Sequence, residues 1–179
     1  MNYSAIAVRY SKALFILADE KNVLAKVYDD MKLIHEICEA EHDFVRLLEN
    51  PVVPFYEKTK IFENIFAKKI NTLSLQFLKL ITKNRRENYL KHMAFEYINL
   101  YKAKLGIKTV TLTSVELINE NLKQEIKNII EKQYKADVEL IEKTDAELIG
   151  GFVLRIDDEQ YDASVVNQLE RIKREFINN

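Results

Sequence analysis

Across residues 1–105 apolar side chains recur every three or four positions, the period of helices that bury one face. Ala7, Tyr10, Leu14 and Leu17 follow Ser4, which is placed to cap a first helix, and Leu24, Val27, Met31, Ile34 and Cys38 form a second stripe. Phe44, Leu47 and Leu48 predict a short third helix. Asn50-Pro51 must stop it, because proline lacks the amide donor and restricts the residue before it. Ile61, Phe62, Ile65 and Phe66 mark a fourth helix, and Leu73, Phe77, Leu80 and Ile81 a fifth that ends near Asn84. Leu90, Met93, Ala94, Tyr97 and Tyr101 carry a sixth, running to Leu105 and closed by Gly106 just past its end.

Beyond Gly106 the period shortens to two: Lys108–Ser114 alternates and is rich in β-branched residues, as a half-buried strand requires. A helix with Leu122, Ile126, Ile129 and Ile130 follows, then strands at 138–141 and Phe152–Ile156. A polar turn over 157–160 leads to a short return at Tyr161. Asp162 or Ser164 can cap a last helix bearing Val165, Leu169, Ile172 and Phe176. The expected class is mainly α: an N-terminal six-helix bundle over residues 1–105 and a small α+β domain, β-α-β-β-α, over residues 106–179.

Composition narrows the function classes. A hydrophobic content of 47% with 31% charged residues is that of a soluble globular chain, and no apolar run reaches the ~20 residues of a membrane span. The N-terminus lacks a basic region followed by an apolar stretch and a cleavage site, so the expected compartment is the cytoplasm. The single cysteine, Cys38, cannot form an internal disulfide. Net charge is −1, divided as 17 Lys and Arg against 13 Asp and Glu over residues 1–105, and 10 against 15 over residues 106–179. Neither half has the strongly basic face of a nucleic-acid binder.

Candidate chemistry is sparse. His35, His42 and His92 have no ligand spacing and read as surface or hydrogen-bonded histidines, so no metal is expected. Cys38 lies on an apolar stripe and reads as a small core residue. Asp157, Asp158, Glu159 and Asp162 depart from the calcium-loop pattern and read as a solvated turn. Tyr89, Tyr97 and Tyr101 read as core with hydroxyls at the rim rather than a base-stacking platform. Lys83 and Arg85 read as helix C-terminal cations meeting the dipole; the alternative, functional reading of this basic cluster is that Arg86 docks a carboxylate on a partner chain.

Two features remain. Gly150-Gly151, two of only three glycines, stand directly before an apolar run and read as a sharp turn into a strand, where a side chain will not fit. They do not lead into a helix, which speaks against a phosphate cradle and leaves no cofactor expected. The first helix carries Ile6, Val8, Ala13, Phe15 and Ile16 in addition to its main stripe, more than the single apolar stripe of a surface helix. Either it is wrapped on all sides within the bundle or part of it is a groove for an incoming amphipathic helix.

Four segments carry a resemblance: Ala7-Val-Arg-Tyr-Ser-Lys-Ala-Leu14; Asn50-Pro51 with Lys58; Lys83-Asn-Arg-Arg-Glu-Asn-Tyr-Leu90; and Asp145-Ala-Glu-Leu-Ile-Gly-Gly-Phe-Val-Leu-Arg-Ile156 followed by Asp162-Ala-Ser-Val165. In order and spacing the chain resembles the F-type ATP synthase delta subunit, the family of the mitochondrial oligomycin-sensitivity-conferring protein. The resemblance implies a non-catalytic peripheral-stalk subunit at the cytoplasmic face of a bacterial inner membrane, without membrane insertion or nucleic-acid binding. Its N-terminal domain is then expected to bind the N-terminal helix of an alpha subunit, and its C-terminal domain the C-terminal ends of the b subunits. It places the alpha contact on Tyr10, Ala13, Leu17, Leu78 and Ile81, with Arg86 at its edge, and gives Gly150 and Gly151 a structural turn. Two departures stand out: Ile156-Asp157-Asp158 replaces a frequent Ile-Gly-Asp, and Ser11 replaces a frequent alanine, expected to polarise the first helix slightly. The rival reading is a generic helical adaptor unrelated to the synthase.

Overall fold

The structure, a computed structural model, describes residues 3–116, 118–146, 148–156 and 159–167. The chain divides into two compact units, residues 1–104 and 105–179.

In the first unit the apolar rows become α1 (Tyr3–Glu20), α2 (Leu24–Ala40), α3 (His42–Glu49), α4 (Phe55–Phe66), α5 (Thr72–Lys83) and α6 (Leu90–Leu105), with a 3₁₀ turn at Glu87–Tyr89. Helix α1 begins at Tyr3, so Ser4 lies inside it rather than at the cap position. Asn22, at φ 55°, ends α1 by the left-handed turn that asparagine tolerates. Asn71 caps α5, its side chain accepting from the Leu73 amide at 2.9 Å. One core joins the helices: Ala7, Leu14, Met31, Ile34, Phe62, Phe66, Leu78, Ile81, Leu90 and Tyr97 are among the buried side chains.

Three polar groups are tied inside this core. Ser11 is fully buried and donates to the Met93 carbonyl at 2.6 Å, so it fastens α1 to α6 instead of polarising an exposed face. Asp30 on α2 accepts from the Asn71 amide at 2.9 Å and from the Ser74 hydroxyl; burial pushes its carboxyl above the usual range despite those bonds. Lys58 on α4 donates to the Leu48 carbonyl at 2.7 Å and to Glu87 Oε1 at 2.6 Å. Its side chain is 3% exposed, and the pair pins the 3₁₀ turn to α3 and α4.

The second unit is a four-stranded sheet in the order β2-β1-β3-β4, formed by β1 (Lys108–Ser114), β2 (Val138–Thr144), β3 (Phe152–Ile156) and β4 (Glu159–Asp162), with α7 (Glu120–Tyr134) crossing over from β1 to β2. β1 runs parallel to β2 and antiparallel to β3, with Val110 opposite both Leu140 and Ile156. The return expected at Tyr161 is thus a fourth strand, and β2 runs three residues further than expected. Val110, Val138 and Ile156 pack with Ile130 of α7. β3 is paired on both sides but buries only Ile156 fully, so its apolar run forms a half-buried strand. Ser164 Oγ accepts from the Asn167 amide at 3.3 Å as residues 165–167 turn helical. The remainder of the expected last helix, with Leu169, Ile172 and Phe176, lies outside the described residues, as do Asp157 and Asp158.

Candidate partner-binding surface

Helix α1 shows which of its sides the chain leaves uncovered. Ala7, Ser11, Leu14 and Ala18 are buried, whereas Ala13 is exposed and Ile16 and Leu17 are 59% and 39% exposed. Of the extra apolar residues, Ile6 and Phe15 pack against the core of the first unit, whereas Ala13 and Ile16 are left uncovered. The Asn84 amide donates to the Tyr10 hydroxyl at 3.3 Å, which sets the end of α5 beside α1. From Tyr10 the helical row at three- and four-residue spacing runs through Ile6, Ala13 and Leu17. From Asn84 the corresponding row on α5 runs back through Leu80, Phe77 and Leu73, of which Leu80 is 49% exposed. Ala13, Ile16, Leu17 and Leu80, with half-buried Tyr10 and Ile6, form the apolar surface of these two helices.

The expected α5 residues sit elsewhere. Leu78 and Ile81 are fully buried in the core, so neither is accessible to a partner, and Leu80, expected in the core stripe, is the exposed one. The cause is the width of the buried face of α5: Leu73, Ser74, Phe77, Leu78, Ile81 and Thr82 are all buried, and Leu80 falls just past the edge of that arc. Periodicity alone left two adjacent apolar rows, with nothing to say which one faces inward.

Arg86 is exposed and follows a helix end of defined geometry. Arg85 adopts the left-handed conformation at φ 55°, its amide donates to the Thr82 carbonyl and the Arg86 amide to the Ile81 carbonyl at 2.8 Å. This closes α5 in the manner of a Schellman motif, with arginine where glycine is usual. Arg85 also lines a cavity of about 270 Å³ with Leu48, Pro51, Val53, Phe55 and Asn88, beside the Lys58–Glu87 pair. That pair was invisible to sequence reasoning because its members are 29 residues apart; a lysine amid an apolar helical stripe was the available signal.

The other candidates take structural places. Tyr97 is buried and donates to the Leu24 carbonyl at 3.3 Å, and Tyr101 stacks on Tyr28 at 4.3 Å between ring centroids. Cys38 is buried, which pushes its thiol up to about 11 and keeps it unreactive. His35 is half-buried against Phe95, with Nδ1 lacking a hydrogen-bond partner, so it is not fully satisfied as expected. Glu159 accepts from the hydroxyls of Tyr134 and Tyr161. Among the described residues no group of His, Cys, Asp or Glu is arranged to hold a metal ion, and no helix is long and apolar enough to cross a membrane.

Gly150 and Gly151 prove unequal. Gly151 has φ +80°, and a Cβ there would lie 2.3 Å from the Ala163 carbonyl oxygen and 3.0 Å from Ser164 Cα. The neighbouring chain comes this close because the Ala163 amide donates to the Phe152 carbonyl and the Val165 amide to the Gly150 carbonyl, each at 3.0 Å. Gly150 would meet only a Val165 methyl, at 3.1 Å. The turn serves backbone pairing.

Comparison with known proteins places this arrangement. Residues 6–176 match the family described as ATP synthase delta (OSCP) subunit. The chain is 37% identical over 176 residues to the ATP synthase subunit delta of Cytophaga hutchinsonii, covering 98% of this chain and 96% of that one. It is 32% identical over 179 residues to the protein of the same name from Parabacteroides distasonis, covering 100% and 99%. Its fold is similar to that of a chain in the cryo-electron-microscopy structure of the Toxoplasma gondii mitochondrial ATP synthase hexamer, with a TM-score of 0.80 at 20% identity, covering 96% and 97%.

Proposed function

The chain belongs to the ATP synthase delta (OSCP) subunit family, whose members are peripheral-stalk components, and from that premise we propose that it joins the head to the stalk by two separate contacts. The first unit takes the N-terminal helix of an alpha subunit on the α1–α5 surface. The second takes the C-terminal ends of the b subunits. The complex then stands at the cytoplasmic face of a bacterial inner membrane and the chain acts without chemistry of its own, holding the head against rotor torque during proton-driven ATP synthesis.

The observation that carries the first contact is the uncovered apolar row Ala13, Ile16 and Leu17 on α1, to which the Tyr10–Asn84 hydrogen bond ties the end of α5 with its exposed Leu80. An amphipathic helix of about 20 residues, ~30 Å long, presents i, i+3, i+4 and i+7 anchors that fit such a surface. Small Ala13 lets a helix approach closely. Tyr10 and Leu17 supply apolar area, Arg86 a charge at the end of α5, and Leu78 and Ile81 act from the core by holding α5 in place. For the second contact, Leu122 and Ile129 are 43% and 62% exposed two turns apart on α7 and give the second unit an apolar stripe of its own. Resistance to load favours large buried area and slow dissociation over rapid exchange.

Calorimetric titration of the full chain with a peptide of the alpha N-terminus tests the first contact. Ala13→Trp, which fills the surface without touching the core, is expected to weaken binding about tenfold or more, equivalent to roughly 1.4 kcal/mol, with the melting temperature unchanged. Unchanged affinity would sink the assignment.

A further inference from the structure

At the Tyr10–Asn84 end of the α1–α5 surface the charges are of one sign, while the other end of α1 carries Asp19 and Glu20. Residues 3–18 and 71–86 contain no aspartate or glutamate, although these stretches include all of α5 and nearly all of α1. Arg9, Lys12, Lys83 and Arg86 all lie within two residues of the Tyr10–Asn84 hydrogen bond, and all four are exposed. None of the four forms an ion pair with another described residue. The cations nearby that do have partners use carboxylates from other helices: Lys79 pairs with Glu63, and Lys104 with Asp19, just beyond the acid-free part of α1. Glu87, the acid nearest in sequence to Arg86, is also engaged elsewhere, held by Lys58.

We propose that this surface selects an amphipathic helix whose apolar stripe is flanked by carboxylates, and that Arg9, Lys12, Lys83 and Arg86 fix the charge and register of that helix. The inference rests on the helix-docking reading above and adds to it the chemistry of the occupant. An acid-free end of an apolar surface, edged with unpaired cations, repels the basic part of an amphipathic helix and attracts an acidic one. Complementary charges at a rim chiefly raise the association rate and reject wrong partners, and their effect falls with ionic strength. The cations gather at the Tyr10–Asn84 end, so the occupant's carboxylates, or the negative C-terminal end of its helix dipole, belong at that end.

The test uses the full chain and a fluorescein-labelled peptide of about 20 residues from the N-terminus of the alpha subunit encoded in the same genome, a length matching α1. Affinity is measured by anisotropy at about 50 and 500 mM NaCl, between which the screening length falls several-fold. Lys83→Glu with Arg86→Glu is expected to weaken binding about tenfold or more at low salt, with the gap to the unmodified chain closing at high salt. Arg9→Glu, on the other helix, reports independently of any effect of the double variant on the α5 end. A peptide with its carboxylates changed to amides is expected to lose the salt dependence. Binding by both charge variants within twofold of the unmodified chain at low salt would overturn the proposal while leaving the docking surface standing. Failure of the unmodified chain to bind the peptide at either salt concentration would overturn the docking reading, and this proposal with it.

Discussion

Replacing Gly151 by alanine tests how the second unit is closed. The new Cβ would stand 2.3 Å from the Ala163 carbonyl oxygen, a contact no side-chain rotation relieves because both atoms belong to or hang directly from backbone. The 162–165 segment must then withdraw, stretching the two 3.0 Å hydrogen bonds that tie it to Gly150 and Phe152. Those bonds contribute about 1 kcal/mol each, and a φ of +80° costs a residue with a Cβ a further ~1–2 kcal/mol. Alanine returns up to about 1 kcal/mol by narrowing the unfolded ensemble, which leaves a loss of about 2–3 kcal/mol. Two controls separate the causes. Gly106→Ala carries a positive φ of 70° but meets open space, so it retains the backbone strain without the clash. Gly150→Ala meets only a movable methyl, and a loss below about 1 kcal/mol is expected there. Native-state hydrogen exchange of the β1 and β3 amides is the assay, since it reports on this unit alone. Gly151→Ala should speed exchange roughly 30- to 150-fold at 1.4 kcal/mol per decade. Exchange in Gly151→Ala as slow as in Gly150→Ala would refute the close-approach argument.

Two further predictions concern the first unit. Lys58→Met strands Glu87 as an unpaired buried charge and should cost about 3–5 kcal/mol in urea unfolding followed by circular dichroism, while adding Glu87→Leu should recover most of the loss; a single-variant cost below about 1 kcal/mol would contradict a buried pair. Asp30 has a folded pKa raised by burial above its unfolded value of 3.8, so its stabilising contribution is full below that value and is lost as pH rises through the folded pKa. Asp30→Asn cannot ionise, so its melting temperature should fall less than that of the unmodified chain between about pH 4 and pH 7; parallel pH profiles would exclude the raised pKa.

The mainly helical first part and the small sheet after it were legible because their apolar periods differ and two of the helices end at residues with a physical reason to end them: Asn50-Pro51 after α3, and Gly106, at φ +70°, after α6. Ser4 misled because a serine near a helix start has the same composition inside the helix as at its cap. Leu80 misled for a different reason. α5 buries an arc wider than one stripe, and which flank stays open is set by its packing against α4 and α2, long-range contacts that no local pattern encodes. The same holds for Lys58 with Glu87. The surplus apolar surface of α1 was visible in the sequence, but whether the chain itself covers it could be answered only once Ile16 and Leu17 were seen exposed.

The central claim is that the first unit grips the head through the alpha N-terminal helix. Head particles assembled from the catalytic subunits of the same organism, without b subunits, can be sedimented with the full chain before and after removing about 20 residues from the alpha N-terminus, the length of one ~30 Å helix. The account predicts that the chain sediments with intact heads and stays in the supernatant with truncated ones. Equal recovery on truncated heads would contradict it.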